Sequence, residues 1–240
     1  MKIIEELLSG LNFDAPVRDI RQGPFQTAVL TDNCGLASTP HDSGPHHNRT
    51  PVEKAGLLMK KDARTLAEMV QSSSPSEAAI GMATINSLIE INEQLCKEIN
   101  AADLLVEKAK NKKTAIVGHF PFVPQLREVA EELWVIEKQP QPGDFKETEA
   151  DRLLPLAEVV GITGTTLING TLEQILGLCR PDAFVTIIGG TTPLSTIFFD
   201  CGVDAVAGTQ VVEPETVLNY VSQGATFRQL KGIRKLVMVK

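Results

Sequence analysis

Short apolar runs alternate with helical patterns through the second half of the chain. "TAIVGHF" (114–120), "WVIEK" (134–138), "AEVVGITG" (157–164), "AFVTIIGG" (183–190), "DAVAGTQVV" (204–212) and "KLVMVK" (235–240) read as strands. Between them "VPQLREVAEEL" (123–133), "TLEQILGLC" (171–179), "PLSTIFFDCG" (193–202) and "PETVLNYVSQG" (214–224) carry helical spacing. Strands that are apolar without alternation are buried on both faces, as in a parallel sheet between helix layers. The pattern predicts a mostly parallel, six-stranded, doubly wound Rossmann-like sheet. Thr171 and Gln174 have capping-box spacing, and Pro193 and Gly202 bracket a predicted helix as first-turn and end residues.

The first half has a different grammar. An amphipathic helix (2–9) precedes two strands, "VRDIRQ" (17–22) and "QTAVLTD" (26–32), and then helical stretches near 62–71, 76–99 and 101–110. Strands followed by helices predict a small α+β domain. The polar "NKK" (111–113) marks the expected boundary, with one domain over 1–112 and the α/β domain over 113–240.

At 240 residues with net charge −7, the chain has no basic stripe and few aromatic residues. That excludes nucleic acid as the expected partner, because phosphate neutralisation needs clustered Lys and Arg. No apolar stretch reaches the ~20 residues of a membrane span. "MKIIEELLSG" is too acidic and too short in apolar residues for a signal peptide. Cys34, Cys96, Cys179 and Cys201 form no CxxC pair, so a structural zinc site is not expected. Their scattered use fits a reducing, cytoplasmic setting. The sequence leaves a homo-oligomer open.

Three strand-to-helix turns carry the candidate chemistry: "GHFPFVP" (118–124), "TGTTLINGT" (163–171) and "GGTTPLS" (189–195). Glycine permits close backbone approach, threonine offers a hydroxyl, and the following helix start offers free amides. Ligands of doubly wound sheets bind beyond the carboxyl ends of the strands. The candidate ligand groups are therefore Thr163, Gly164, Thr165, Thr166, Asn169, Gly189, Gly190, Thr191 and Thr192, with His119 as an acid or base. The same residues are also ordinary turn and cap formers. No GxGxxG follows the first strand, and there is neither a Walker lysine nor a GxSxG nucleophile. Glu137 ends the second strand, where a ribose-binding acid would stand, and where a solvated carboxylate would also stand.

"TPHDSGPHHNRTP" (39–51) gathers His41, Asp42, His46 and His47. Imidazoles and a carboxylate suit a divalent transition metal. Adjacent histidines rarely point the same way, so a closed tetrahedral site would need His119 or a water as well. Two other readings stand beside this one: acid–base groups for an organic ligand, with His41 and Asp42 joining His119, and a plain polar loop. Asn86 sits in the apolar helix "AAIGMATINSLIEI" and needs partners there, either a neighbouring loop or a ligand at a domain interface.

"GHFPFVP", "AEVVGITGTTLINGTLEQIL" and "IGGTTPLSTIFFDCGVDAVAGTQVVEPE", together with "AVLTDNCGLAST" and "AAIGMATINSLI", resemble the signature stretches of a prokaryotic family named for heavy-metal chelation. The resemblance implies a domain like the N-terminal domain of enolase followed by a Rossmann-like domain. It also implies a site between them, with His119, Thr163 to Thr166, Asn169 and Gly189 to Thr192 facing the loop from Asn33 to His47. The likeness to enolase is one of fold only, since the catalytic barrel of enolase is absent. Three functions follow as expectations. The first is an enzyme that condenses or hydrolyses a small anionic or heterocyclic compound related to metal chelation. The second is a non-catalytic binder of a metal or metal chelate. The third is an S-adenosylmethionine-dependent methyltransferase, against which the missing glycine-rich turn counts.

Overall fold

The computed structural model describes residues 2–40 and 51–240. The metal-loop candidates His41, Asp42, His46 and His47 lie outside the described residues.

The chain opens with α1 (Lys2–Ser9), which buries Ile3, Ile4 and Leu7. β1 (Asp19–Gln22), β2 (Gln26–Leu30) and β3 (Cys34–Ser38) pair antiparallel in that order. The third of these strands was not predicted. It follows β2 after a short turn, and Gly35 within it has no Cβ, which would meet the backbone of Ala83 and Ser87. The helix that approaches so closely is α3 (Pro75–Leu88), preceded by α2 (Ala63–Glu68). Small residues let α3 sink into the core: Ala78, Ala79 and Ala83 are fully covered, and the Cβ that Gly81 lacks would strike the Val70 backbone. The expected helix over 76–99 stops at Leu88, because Ile89 turns extended. Asn92 then accepts from the Gln94 amide and starts a separate 3-10 turn (Glu93–Leu95) that leads into β4 (Cys96–Lys97).

From α4 (Ala101–Lys108) the chain builds the large sheet. Its elements are β5 (Lys113–Val117), α5 (Val123–Val129), β6 (Glu132–Glu137), β7 (Phe145–Lys146), α6 (Ala150–Leu153), β8 (Val159–Thr163), α7 (Thr165–Ile168), α8 (Leu172–Leu178), β9 (Phe184–Ile188), α9 (Ile197–Asp200), β10 (Ala205–Val211), α10 (Pro214–Ser222) and β11 (Ile233–Val239). The strand order is β4-β11-β10-β9-β8-β5-β6-β7. The strands from β10 to β7 are mutually parallel, while β11 runs antiparallel to β10 and to β4. All six expected strands are present in an α/β, mostly parallel sheet, which has eight strands rather than six. β4 and β7 have two residues each, too few to show a period. α10 packs Val217, Leu218 and Val221 against Ala28 and Leu36 of the small sheet.

Two local expectations fail. Thr171 makes no capping box: its hydroxyl donates to Asn169 Oδ1 at 2.6 Å, so α8 starts without a side-chain cap. The helix expected over 193–202 is confined to Ile197–Asp200, because the residues before it turn on local bonds instead, the Ser195 amide donating to Pro193 O.

The chain moves from β5 outward to β6 and β7, returns, and continues from β8 to β9 and β10 on the other side. The carboxyl ends of β5 and β8 are therefore the topological switch point, where such sheets open a ligand crevice.

Candidate functional site

A crevice of about 450 Å³ opens at this point, within the usual range of ligand pockets. Three strand ends build it. β5 delivers Gly118, His119 and Phe120, β6 delivers Glu137, and β8 delivers Thr163 followed by Thr165 and Thr166. Gly118 has φ +102°, a conformation side chains disfavour, and a Cβ there would stand 3.0 Å from Thr163 Cβ. Beyond it Phe120 and Phe122 stack with centroids 5.0 Å apart.

His119 is the one imidazole among the described lining residues. Its Nδ1 lies 2.9 Å from Asp144 Oδ2, and the Asp144 side chain is only 1% exposed against 30% for His119. A carboxylate accepts, so Nδ1 carries a proton, and in the neutral ring the lone pair belongs to Nε2. Asp144 is placed by a tight turn, Gln141-Pro142-Gly143-Asp144. The Asp144 amide donates to Gln141 O at 2.9 Å, Gly143 has φ +93°, and the Gln141 amide donates to Asp144 Oδ2 at 3.0 Å. Proline followed by a positive-φ glycine is the signature of a type II turn. Asp144 was not singled out from the sequence. "QPGD" signals the turn, but nothing in it says which side chain the turn faces.

The threonine turn is internally wired. Thr163 Oγ1 and Thr165 Oγ1 are 3.1 Å apart, and Thr166 Oγ1 donates to Thr163 O at 2.7 Å. Asn169 also lines the crevice, its Oδ1 accepting from both the amide and the hydroxyl of Thr171. Glu137 Oε1 accepts from the Lys138 amide at 2.7 Å.

The third turn does something else. The Gly189 amide, expected to face a ligand, donates to Ala207 O at 3.0 Å. A Cβ on Gly190 would press into the Phe227 ring. Thr191 is 1% exposed; its Oγ1 accepts from the Ser38 amide at 2.9 Å and donates to Ser38 Oγ at 3.1 Å. Asn86 Nδ2 donates both to Leu36 O at 2.7 Å and to Thr191 O at 3.0 Å. Thr191 and Asn86 thus strut the small sheet against the large one. Asn33 lies at the other end of β3 from Ser38, roughly 16 Å away along an extended strand, and is exposed. Thr192 is buried, with its Oγ1 at the place a Gly164 Cβ would take, so the second and third turns touch there.

Gln26 Oε1 and Thr192 Oγ1 are buried without a hydrogen-bond partner among the described residues. Both flank the strut: Gln26 is the cross-strand neighbour of Ser38, and Thr192 follows Thr191. Buried polar atoms of this kind require a partner, either ligand or water.

Among the described residues no group of three or more His, Cys, Asp and Glu could hold a metal ion. Burial, helped by Asp19 and Glu215, pushes the Cys34 thiol up to about 12, and burial pushes Cys179 to about 11. Among the described residues, then, no closed heavy-metal centre is assembled. A second cleft of about 470 Å³, between α1, the end of α3 and residues 194–197, has no imidazole in its lining. Among the described residues no helix is long and apolar enough to cross a membrane.

Fold and crevice define a doubly wound α/β protein with a crevice at the switch point, buttressed by a small antiparallel sheet with its own helices. Residues 100–240 match the DUF364 family model and residues 4–89 the DUF4213 model, both described as "Putative heavy-metal chelation"; the chain belongs to this family. It is similar to an uncharacterized protein of Methanocaldococcus jannaschii, 27% identical over 223 residues that cover 88% of this chain and 85% of that one. Two DUF364 proteins of unknown function share the fold in crystal structures. The one from Desulfitobacterium hafniense has TM-score 0.86 at 24% identity, and the one from Pyrococcus horikoshii 0.82 at 23%. Each alignment covers 100% of this chain and 98% of the other.

Proposed function

We propose that the chain binds a small heterocyclic compound related to metal chelation in the switch-point crevice and processes it, by condensation or hydrolysis, through proton transfer at His119. The carrying observation is the buried Asp144 carboxylate that orients His119 at the crevice wall. Nε2 is the atom able to take a proton from an attacking nucleophile and return it to a leaving group, the usual work of an oriented histidine. Of the two expected ligand classes the heterocycle fits better than the free anion. Glu137, Glu147 and Asp151 line the crevice, and Lys138 is the one Lys or Arg among the described lining residues.

Calorimetric titration with hydroxyquinoline and picolinate tests this. His119→Gln and Asp144→Asn should each weaken binding by about 5- to 100-fold, the effect of one charge-assisted hydrogen bond. Unchanged affinity in both variants defeats the reading.

The family description favours a second reading, non-catalytic binding of a divalent transition metal or its chelate by His41, Asp42, His46 and His47. These residues lie outside the described ones. Equilibrium dialysis with Ni and Zn on His41→Ala and His47→Ala decides it, with loss of bound metal supporting it and full retention removing it.

A further inference from the structure

We infer that the heterocycle held in the crevice is a ribonucleoside whose ribose hydroxyls are bound by Glu137 and whose 5′ substituent is neutral or cationic rather than a phosphate. This rests on the reading of the switch-point crevice as the ligand site and names the ligand class.

Two observations carry the ribose. In those doubly wound sheets that bind nucleotides, the second strand of the first βαβ unit ends in an acid, roughly 20 residues beyond the first turn, that accepts from ribose hydroxyls. β6 is that strand here, Glu137 is its last residue, and Glu137 lines the crevice. Its Oε1 is held by the Lys138 amide, which fixes the carboxylate in place. A base has somewhere to lie: Phe120, Ile136, Ile175 and Leu178 give an apolar lining, and Asn169 and Gln174 offer hydrogen bonds to its edge.

The same turn that would cradle phosphate excludes it. A phosphate cradle needs free backbone amides in a glycine-rich first turn. The Gly118 amide is already spent on Ile136 O at 2.9 Å, the Val123 amide donates to Phe120 O, and the Phe120–Phe122 stack fills the turn. Among the described lining residues the one Lys or Arg is Lys138, and it already faces a carboxylate. Lys138 Nζ lies 3.9 Å from Glu147, and Asp151 and Glu137 add further negative charge. A dianionic phosphate is repelled here, and an ammonium or sulfonium centre is attracted.

The test is calorimetric titration of the full chain with adenosine, guanosine, cytidine and uridine. The ribonucleoside that binds is then compared with its dideoxy analogue, its monophosphate and its 5′-amino derivative. At least one ribonucleoside should bind with a Kd below about 1 mM. Its dideoxy analogue should bind about 10- to 150-fold more weakly. The monophosphate should be about tenfold weaker and the amino derivative tighter, with both differences shrinking as salt rises. Glu137→Gln should lower affinity for the ribonucleoside while leaving the dideoxy analogue unaffected, with an unchanged melting temperature as the folding control. No binding by any of the four, equal binding of the dideoxy analogue, or a tighter monophosphate overturns the inference. Should hydroxyquinoline bind in a His119-dependent way while no nucleoside binds, the nucleoside assignment falls and the crevice reading survives.

Discussion

Asp144 Oδ2 stands 2.9 Å from His119 Nδ1, and the same oxygen accepts the Gln141 amide at 3.0 Å. One carboxylate oxygen thus closes a tight turn and orients a ring on another strand end. Asp144→Ala removes both partners at once. The Gln141 amide and the His119 Nδ1–H lose their acceptor; both can turn to water, so the cost is about 0.5–1.5 kcal/mol, the net worth of an ordinary hydrogen bond. Urea melts should show that loss. Asp144→Asn keeps an acceptor oxygen but removes the charge, and should cost less. Equal stability of all three proteins would show that the turn holds its shape without the carboxylate.

Thr191 is expected to behave as a structural bridge. Its hydroxyl serves the Ser38 amide and the Ser38 hydroxyl across the junction of the two sheets. Thr191→Val preserves shape and leaves the Ser38 N–H without its acceptor. Stability should fall by about 1–3 kcal/mol, while affinity for a ligand of the switch-point crevice stays within about twofold. A variant of full stability with weakened binding would return Thr191 to the ligand site.

The long strands were legible because each is an apolar run bounded by turn residues, as in "TAIVGHF" and "AFVTIIGG". Their carboxyl-end location for a site followed from parallel order. The two-residue strands β4 and β7 carry no period of their own and exist only as pairings with β11 and β6. The two threonine turns looked alike in sequence and serve two purposes. Thr163 and Thr165 line a crevice, whereas Thr191 meets Ser38, 153 positions away in the chain. Nothing local to "GGTTPLS" distinguishes a hydroxyl that faces a ligand from one that faces another sheet. Asp144 was hidden for the same reason: His119 lies 25 positions before it, and only the pairing of β6 with β7 brings the two together.

Gly164 is a test of how tightly the second and third turns are fitted. Its backbone, φ −59° and ψ −15°, suits any residue, so an effect of substitution must be steric. A Cβ there would land on Thr192 Oγ1 and 2.9 Å from Thr192 N. Gly164→Ala should destabilise the fold by about 1–3 kcal/mol, the usual cost of forcing atoms into a packed region. Denaturant melts report it directly. An unchanged midpoint would mean that the turns can separate freely.

Cys34 should make the protein less stable in alkali. Burial, then the charges of Asp19 and Glu215, lift its thiol from the ordinary 9.0 to about 12. Below the ordinary value both folded and unfolded chains keep the proton, and the group adds no pH dependence. As pH rises past 9 the unfolded thiol ionises while the folded one stays neutral. The unfolded state then binds fewer protons, so unfolding is favoured by up to about 1.4 kcal/mol per pH unit. Other groups titrate in this range too, which makes Cys34→Ala the right reference. Urea melts at steps from neutral to alkaline pH should show the parent losing stability more steeply than Cys34→Ala above the ordinary thiol value, with the two slopes equal at neutrality. Parallel slopes throughout would mean that the thiol ionises as easily in the folded chain as in the unfolded one, and that the pocket among Ala28, Leu36 and Leu218 admits water.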